Sequence, residues 1–111
     1  MRLTKHEVLT IITEVYNFIT PEVAELRLFG SRTNDQAKGG DIDLLLLTKN
    51  EAIKNSLLEN KLKILTAIKN ILGEQRIDLK IASLKELHSD PFLQLIYPQS
   101  VLLHLPANFF V

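Results

Sequence analysis

The stretch FGSRTNDQAKGGDIDLLLL, residues 29–47, decides how the rest of the chain is read. It opens on the pair Gly30-Ser31, runs through a polar segment with two more glycines, and ends in a strongly apolar run headed by Asp41 and Asp43. Aspartate is a poor strand former, so two of them at the head of such a strand serve something other than folding. Side chains two apart on a strand point to the same face, and Asp41 and Asp43 are therefore expected to project together. Beyond them the run is apolar on both faces, which predicts a central strand over 41–47, covered on both sides.

Upstream, residues 24–29 (AELRLF) alternate, with Ala24, Leu26 and Leu28 on one face and Glu25, Arg27 and Phe29 on the other, as a strand does. Before it, Thr4 and Glu7 have capping-box spacing. Val8, Ile11, Ile12, Val15 and Ile19 then recur at helical spacing, which predicts a helix over 5–18 stopped by Pro21. Downstream, Asn50 can cap one long helix with Ile53, Leu57, Leu58, Leu62, Leu65, Ile68 and Leu72 on a single stripe and Gly73 at its end. Residues 76–81 (RIDLKI) alternate again and predict a third strand. Ser83 and Glu86 form a second capping-box candidate, Asp90-Pro91 starts a short helix, and residues 100–105 suit a closing strand. The pattern predicts an α/β (α+β) fold, a small mixed sheet of three to four strands backed by helices. At 111 residues, one domain over 1–111 is expected.

The chemistry follows from the aspartates. Asp78 lies on the polar face of the third strand, and if that strand neighbours the second, three carboxylates converge. Two unit charges ~4 Å apart repel by about 4 kcal/mol at an effective dielectric of about 20. A divalent metal removes that cost, and hard oxygen ligands with open positions suit Mg²⁺, which keeps water and shares phosphate oxygens with a substrate. Gly30 lets a phosphate approach the backbone, and Ser31 adds a hydroxyl and an N–H. Arg32 can touch phosphate through its planar fork, or stand as a solvated loop arginine. Lys80 shares a face with Asp78 and can offset the acidic cluster or form a plain surface pair.

On these residues the chain resembles the minimal nucleotidyltransferases of the DNA polymerase beta superfamily, whose signature is a Gly-Ser pair, a loop, an Asp-x-Asp and a third Asp on a later strand. The resemblance is close over 24–81. It implies a polymerase-beta-like palm fold and a magnesium-dependent transferase using two Mg²⁺ ions, with ATP as substrate. By position, Gly30, Ser31 and Arg32 would hold the triphosphate, while Asp41, Asp43 and Asp78 would be catalytic and bind metal, Asp78 also serving as base toward an acceptor hydroxyl. Thr33 and Asn34 stand where many members have Ala and a second Arg, and Gly40 where a Ser is frequent.

Only a short segment follows the third strand, too little for an independent acceptor-binding core. The resemblance then extends to the antitoxin half of prokaryotic toxin–antitoxin modules, encoded beside an all-helical HEPN ribonuclease. It implies transfer of AMP to a tyrosine of the HEPN toxin, and hence a hetero-oligomer. Two other readings stay open: an antitoxin that masks the HEPN protein by binding alone, and a transferase subunit acting on a small molecule or tRNA.

Composition narrows the field. Lys plus Arg and Asp plus Glu are 13 each, so no basic surplus points to direct nucleic-acid binding. There is no cysteine, hence no disulfide framework and no thiolate chemistry. The N-terminus reaches Lys5, His6 and Glu7 before any sustained apolar run, unlike a secretory signal, and a cytoplasmic protein without membrane contact is expected. His6, His88 and His104 are scattered without ligand spacing. The apolar end 109–111 (FFV) can pack on its own core or serve a partner surface.

Overall fold

The computed structural model describes residues 2–18, 24–33, 40–73 and 75–104. Helix α1 (Lys5–Tyr16) starts where both halves of the capping box close: Glu7 N donates to Thr4 Oγ1 at 3.1 Å, and Thr4 N to Glu7 Oε1 at 2.9 Å. Strand β1 (Ala24–Phe29) leads into a single 3₁₀ turn over Gly30–Thr33, and β2 (Ile42–Thr48) follows. Helices α2 (Glu51–Glu59) and α3 (Lys61–Leu72) connect it to β3 (Ile77–Ser83). A 3₁₀ turn (Leu84–His88), α4 (Pro91–Ile96), another turn (Tyr97–Gln99) and β4 (Val101–His104) complete the described chain. Pro21 and Ile19 lie outside the described residues, as do Leu105 and the apolar end.

The four strands are ordered β3-β2-β1-β4. β1 runs antiparallel to β2 and β4, whereas β2 and β3 are parallel. A parallel neighbour requires a crossover, which α2 and α3 supply. One face, with Leu26, Leu28, Ile42, Leu44, Leu46, Leu79 and Ile81, packs on Ile11 and Val15 of α1 and on Leu57, Ile64 and Ile68 of α2 and α3. The other buries Leu45, Leu47 and Ala82 under Leu93 of α4, with Phe29, Ile96 and Tyr97 at the margin. Burial on both faces of β2 agrees with its apolar run.

The long second helix is instead two. At Asn60 the backbone takes φ −99°, ψ 4°, its N–H bonds to both Ser56 and Leu57 carbonyls, and its side chain donates to Ser56 O at 2.9 Å. α2 packs on β3 while α3 packs on α1, so the crossover changes direction between them. The stripe changes accordingly. Leu58 and Leu62, expected inside, are 45% and 78% exposed, and Ile64, outside the predicted stripe, is fully buried.

The charged side chains that β1 contributes to the second face are paired. Glu25 is buried and forms an ion pair with Arg27. The Arg27 guanidinium stacks 4.5 Å from the Tyr97 ring centroid and donates to Ser100 Oγ at 2.5 Å. This pairing meets the requirement that buried charges have partners. No helix among the described residues is long and apolar enough to cross a membrane.

Candidate active site

Register brings the acidic residues together. Asp43 is paired with Phe29 across the antiparallel ladder and with Asp78 across the parallel one, all on the second face of the sheet. Asp43 is half-buried and Asp78 exposed. The Asp43 carboxyl is pushed above the usual carboxylate range, first by burial, then by the like charges of Asp78 and Asp41 and by a hydrogen-bonding contact with Asp78. Two carboxylates this close are stable when they share a proton or bind a cation.

Asp41 stands one residue before β2 rather than within it, its Oδ2 lies 3.8 Å from Arg76 Nε at the solvent edge, and its charge acts on Asp43. Among the described residues no three His, Cys, Asp or Glu side chains are gathered into a metal cage. Asp43 and Asp78 are the pair that the sheet brings together. Asp41 is a neighbouring carboxylate turned toward arginine. The donor chemistry of the three, hard oxygens carrying uncompensated negative charge at Asp43, still fits a divalent cation.

The Gly-Ser turn abuts this pair. Gly30 has φ +76°, and a Cβ there would overlap Asp43 Oδ2 and stand 3.1 Å from Asp43 Cγ. Only glycine lets the turn lie directly against the carboxylate. The Ser31 hydroxyl sits in turn against Gly40, where φ is +94° and a Cβ would overlap Ser31 Oγ. Thr33 Oγ1 donates to Gly30 O at 2.7 Å, closing the turn.

Arg32 braces this arrangement. It donates to Gly40 O at 3.2 Å and to Arg2 O at 3.0 Å, while Arg2 reaches back to Ser31 O at 3.0 Å and its N–H to Arg32 O at 2.7 Å. The guanidinium therefore ties together the turn, the start of β2 and the N-terminal segment, a role that neither sequence reading of Arg32 included.

Asp43 and Asp78 open onto a cleft of about 300 Å³ lined also by Phe29, Lys61, Leu79, Lys80 and Phe92. Phe29 and Phe92 meet edge to face, with centroids 6.0 Å apart, and Lys80 Nζ stands 5.9 Å from the Phe92 ring centroid. Phe92 and Lys61 carry no sequence signal of this kind, because α4 and the break at Asn60 bring them in from distant parts of the chain. A wider hollow of about 620 Å³ is lined by Lys69, Asn70, Gly73, Gln75 and Arg76, and among the described residues it gathers no carboxylates or nucleophiles.

No curated protein matches the chain. A family model described as Polymerase beta, Nucleotidyltransferase matches residues 11–105, which contain the Gly-Ser turn and all three aspartates.

Proposed function

The chain belongs to the polymerase beta nucleotidyltransferase family, and from that premise we propose that it transfers AMP from ATP to a tyrosine hydroxyl of an all-helical HEPN-type partner, acting as the antitoxin of a toxin–antitoxin pair. The observation that carries the chemical part is the contact of Gly30 with Asp43, which is itself in register with Asp78. The Gly-Ser turn and the paired acid groups thus lie side by side. The choice of partner rests on the resemblance alone.

In this reading the triphosphate lies along Gly30 and Ser31, whose backbone N–H groups and hydroxyl donate to it. Arg32 keeps the turn in place and is a positioning residue. The acceptor hydroxyl approaches from the Asp78 side and gives its proton to the Asp78 carboxylate. Its oxygen forms a bond to the α-phosphorus as the bond from that phosphorus to the bridging oxygen breaks. The electron pair leaves with pyrophosphate. Asp41, Asp43 and Asp78 are the residues that would hold Mg²⁺, which lowers the pKa of an attacking hydroxyl and neutralises charge on the departing phosphates.

A second reading, an antitoxin that masks its partner by binding alone, draws on the engagement of Asp41 by Arg76. One experiment separates the two. The protein is incubated with ATP, Mg²⁺ and the helical product of the adjacent gene, and the partner is weighed by mass spectrometry. Transfer adds one AMP to a partner tyrosine, and the addition is lost with Asp43→Asn. A partner that is bound and silenced but unmodified establishes masking instead.

A further inference from the structure

The cleft beside Asp43 and Asp78 has two sides, and they differ in chemistry. The Gly30–Ser31 turn continues from β1, on one side of Asp43. Asp78 and Lys80 lie on the other, along β3, and Lys61 at the start of α3 lines the same cleft. If phosphate lies on the turn, the lysines face whatever arrives opposite it. They do not neutralise the acid pair directly: among the described residues no carboxylate is ion-paired with Lys61 or Lys80. Beside them α4 presents Phe92, 46% exposed, and Leu95, 64% exposed, three residues apart on one side of the helix. The result is a pair of cations and an aromatic ring bordering the reacting carboxylates, with the exposed Leu95 one turn further along α4.

We infer that this β3 side is an acceptor subsite for an acidic protein segment. The receiving hydroxyl has an aspartate or glutamate beside it in its own chain, met by Lys61 and Lys80, and its apolar flank lies on Phe92 and Leu95. The inference rests on the nucleotidyl-transfer reading above and adds the determinant of acceptor choice. A polynucleotide fits these features less well. Its affinity comes from neutralising many phosphates, whereas here two lysines stand in a chain with 13 basic and 13 acidic residues, next to an exposed leucine. Charge complementarity of this kind selects among acceptors more than it adds raw affinity.

The test uses two synthetic tyrosine peptides of equal length, one with glutamates flanking the tyrosine and one with glutamines, and follows transfer of labelled AMP from ATP in Mg²⁺. The expected result is transfer to the glutamate peptide about tenfold faster than to the glutamine peptide, the size of two partly screened charge contacts. Lys61→Gln with Lys80→Gln should erase that preference while ATP titrated by calorimetry still binds. Single substitutions, checked by circular dichroism, serve if the double variant does not fold. Equal transfer to both peptides overturns the inference. So does a preference that survives the substitutions, or a loss of ATP binding, which would assign the lysines to the triphosphate. Bound ATP with no transfer to either peptide also overturns it. Absence of both ATP binding and transfer overturns the underlying reading instead.

Discussion

Replacing Gly30 with alanine tests the contact between turn and carboxylate on which the site depends. Two separate costs are expected. A non-glycine residue at φ +76° costs about 1–2 kcal/mol for its left-handed backbone. The added methyl also meets Asp43 Oδ2 and Cγ, and forcing a short, half-buried side chain aside costs about 1–3 kcal/mol. Rotating that carboxylate away is opposed by Asp78 on its other flank. The sum, about 2–5 kcal/mol, corresponds to a fall in Tm of about 8–20 °C for a domain of this size. The second cost is isolated by a double-mutant cycle with Asp43→Ala, which removes Cγ and both oxygens but leaves Cβ at an ordinary 3.4 Å. In the Asp43→Ala background Gly30→Ala should cost only the backbone part, giving a coupling of about 1–3 kcal/mol. Urea denaturation in EDTA measures the four stabilities, and calorimetry with Mg²⁺ and ATP measures binding. Gly73→Ala is the control, since φ is +85° there and nothing lies within 4 Å. It should lose stability and keep ATP binding, whereas Gly30→Ala should lose both. Additivity within about 0.5 kcal/mol would falsify the claim that turn and carboxylate are in contact.

The remaining predictions concern charge and bracing. Asp43 has its carboxyl raised in the fold, so its ionisation opposes folding, and stability is lost as pH rises through the folded value. Asp43→Asn should therefore raise Tm in EDTA at pH 7, with the advantage vanishing below about pH 4, while abolishing Mg²⁺-dependent transfer; a lower Tm would mean the carboxylate makes structural bonds. Glu86, by contrast, is held below the carboxylate range by its hydrogen bond to Lys54 and by the Ser83 backbone, and its contribution is lost as pH falls through that lowered value. Lys54→Gln should cost about 0.5–1 kcal/mol at pH 7 and nothing in urea titrations once Glu86 is protonated; an equal cost in both states would assign Lys54 to packing. Arg32→Lys should weaken ATP binding and lower stability by about 1–2 kcal/mol, because one ammonium cannot reproduce the bonds to Gly40 and Arg2 carbonyls. Unchanged melts with weakened ATP binding would instead make Arg32 a direct phosphate ligand.

Much of this protein was legible without coordinates wherever the determining interactions are local. The capping boxes at Thr4 and Ser83, the Asp90 cap and the alternation of β1 and β3 depend on residues within a few positions of one another, and such patterns survive in the linear text. The Gly-Ser turn and the aspartate pair were readable for the same reason, since glycine and aspartate sit there against their local preferences. The break at Asn60 was not, because apolar spacing continues through it and only the separate docking of α2 on β3 and α3 on α1 forces the turn. The meeting of Asp43 with Asp78 was readable only on the condition that the two strands are neighbours, and that condition depends on a parallel register set by the whole crossover. A shift of one residue would have sent Asp78 to the opposite face. Long-range packing likewise turned Asp41 toward Arg76, committed Arg32 to backbone carbonyls, and brought Lys61 and Phe92 to the cleft. Local chemistry chose the residue types at this site. Tertiary structure alone decided their neighbours, because side chains far apart in sequence meet only once the sheet has set its register.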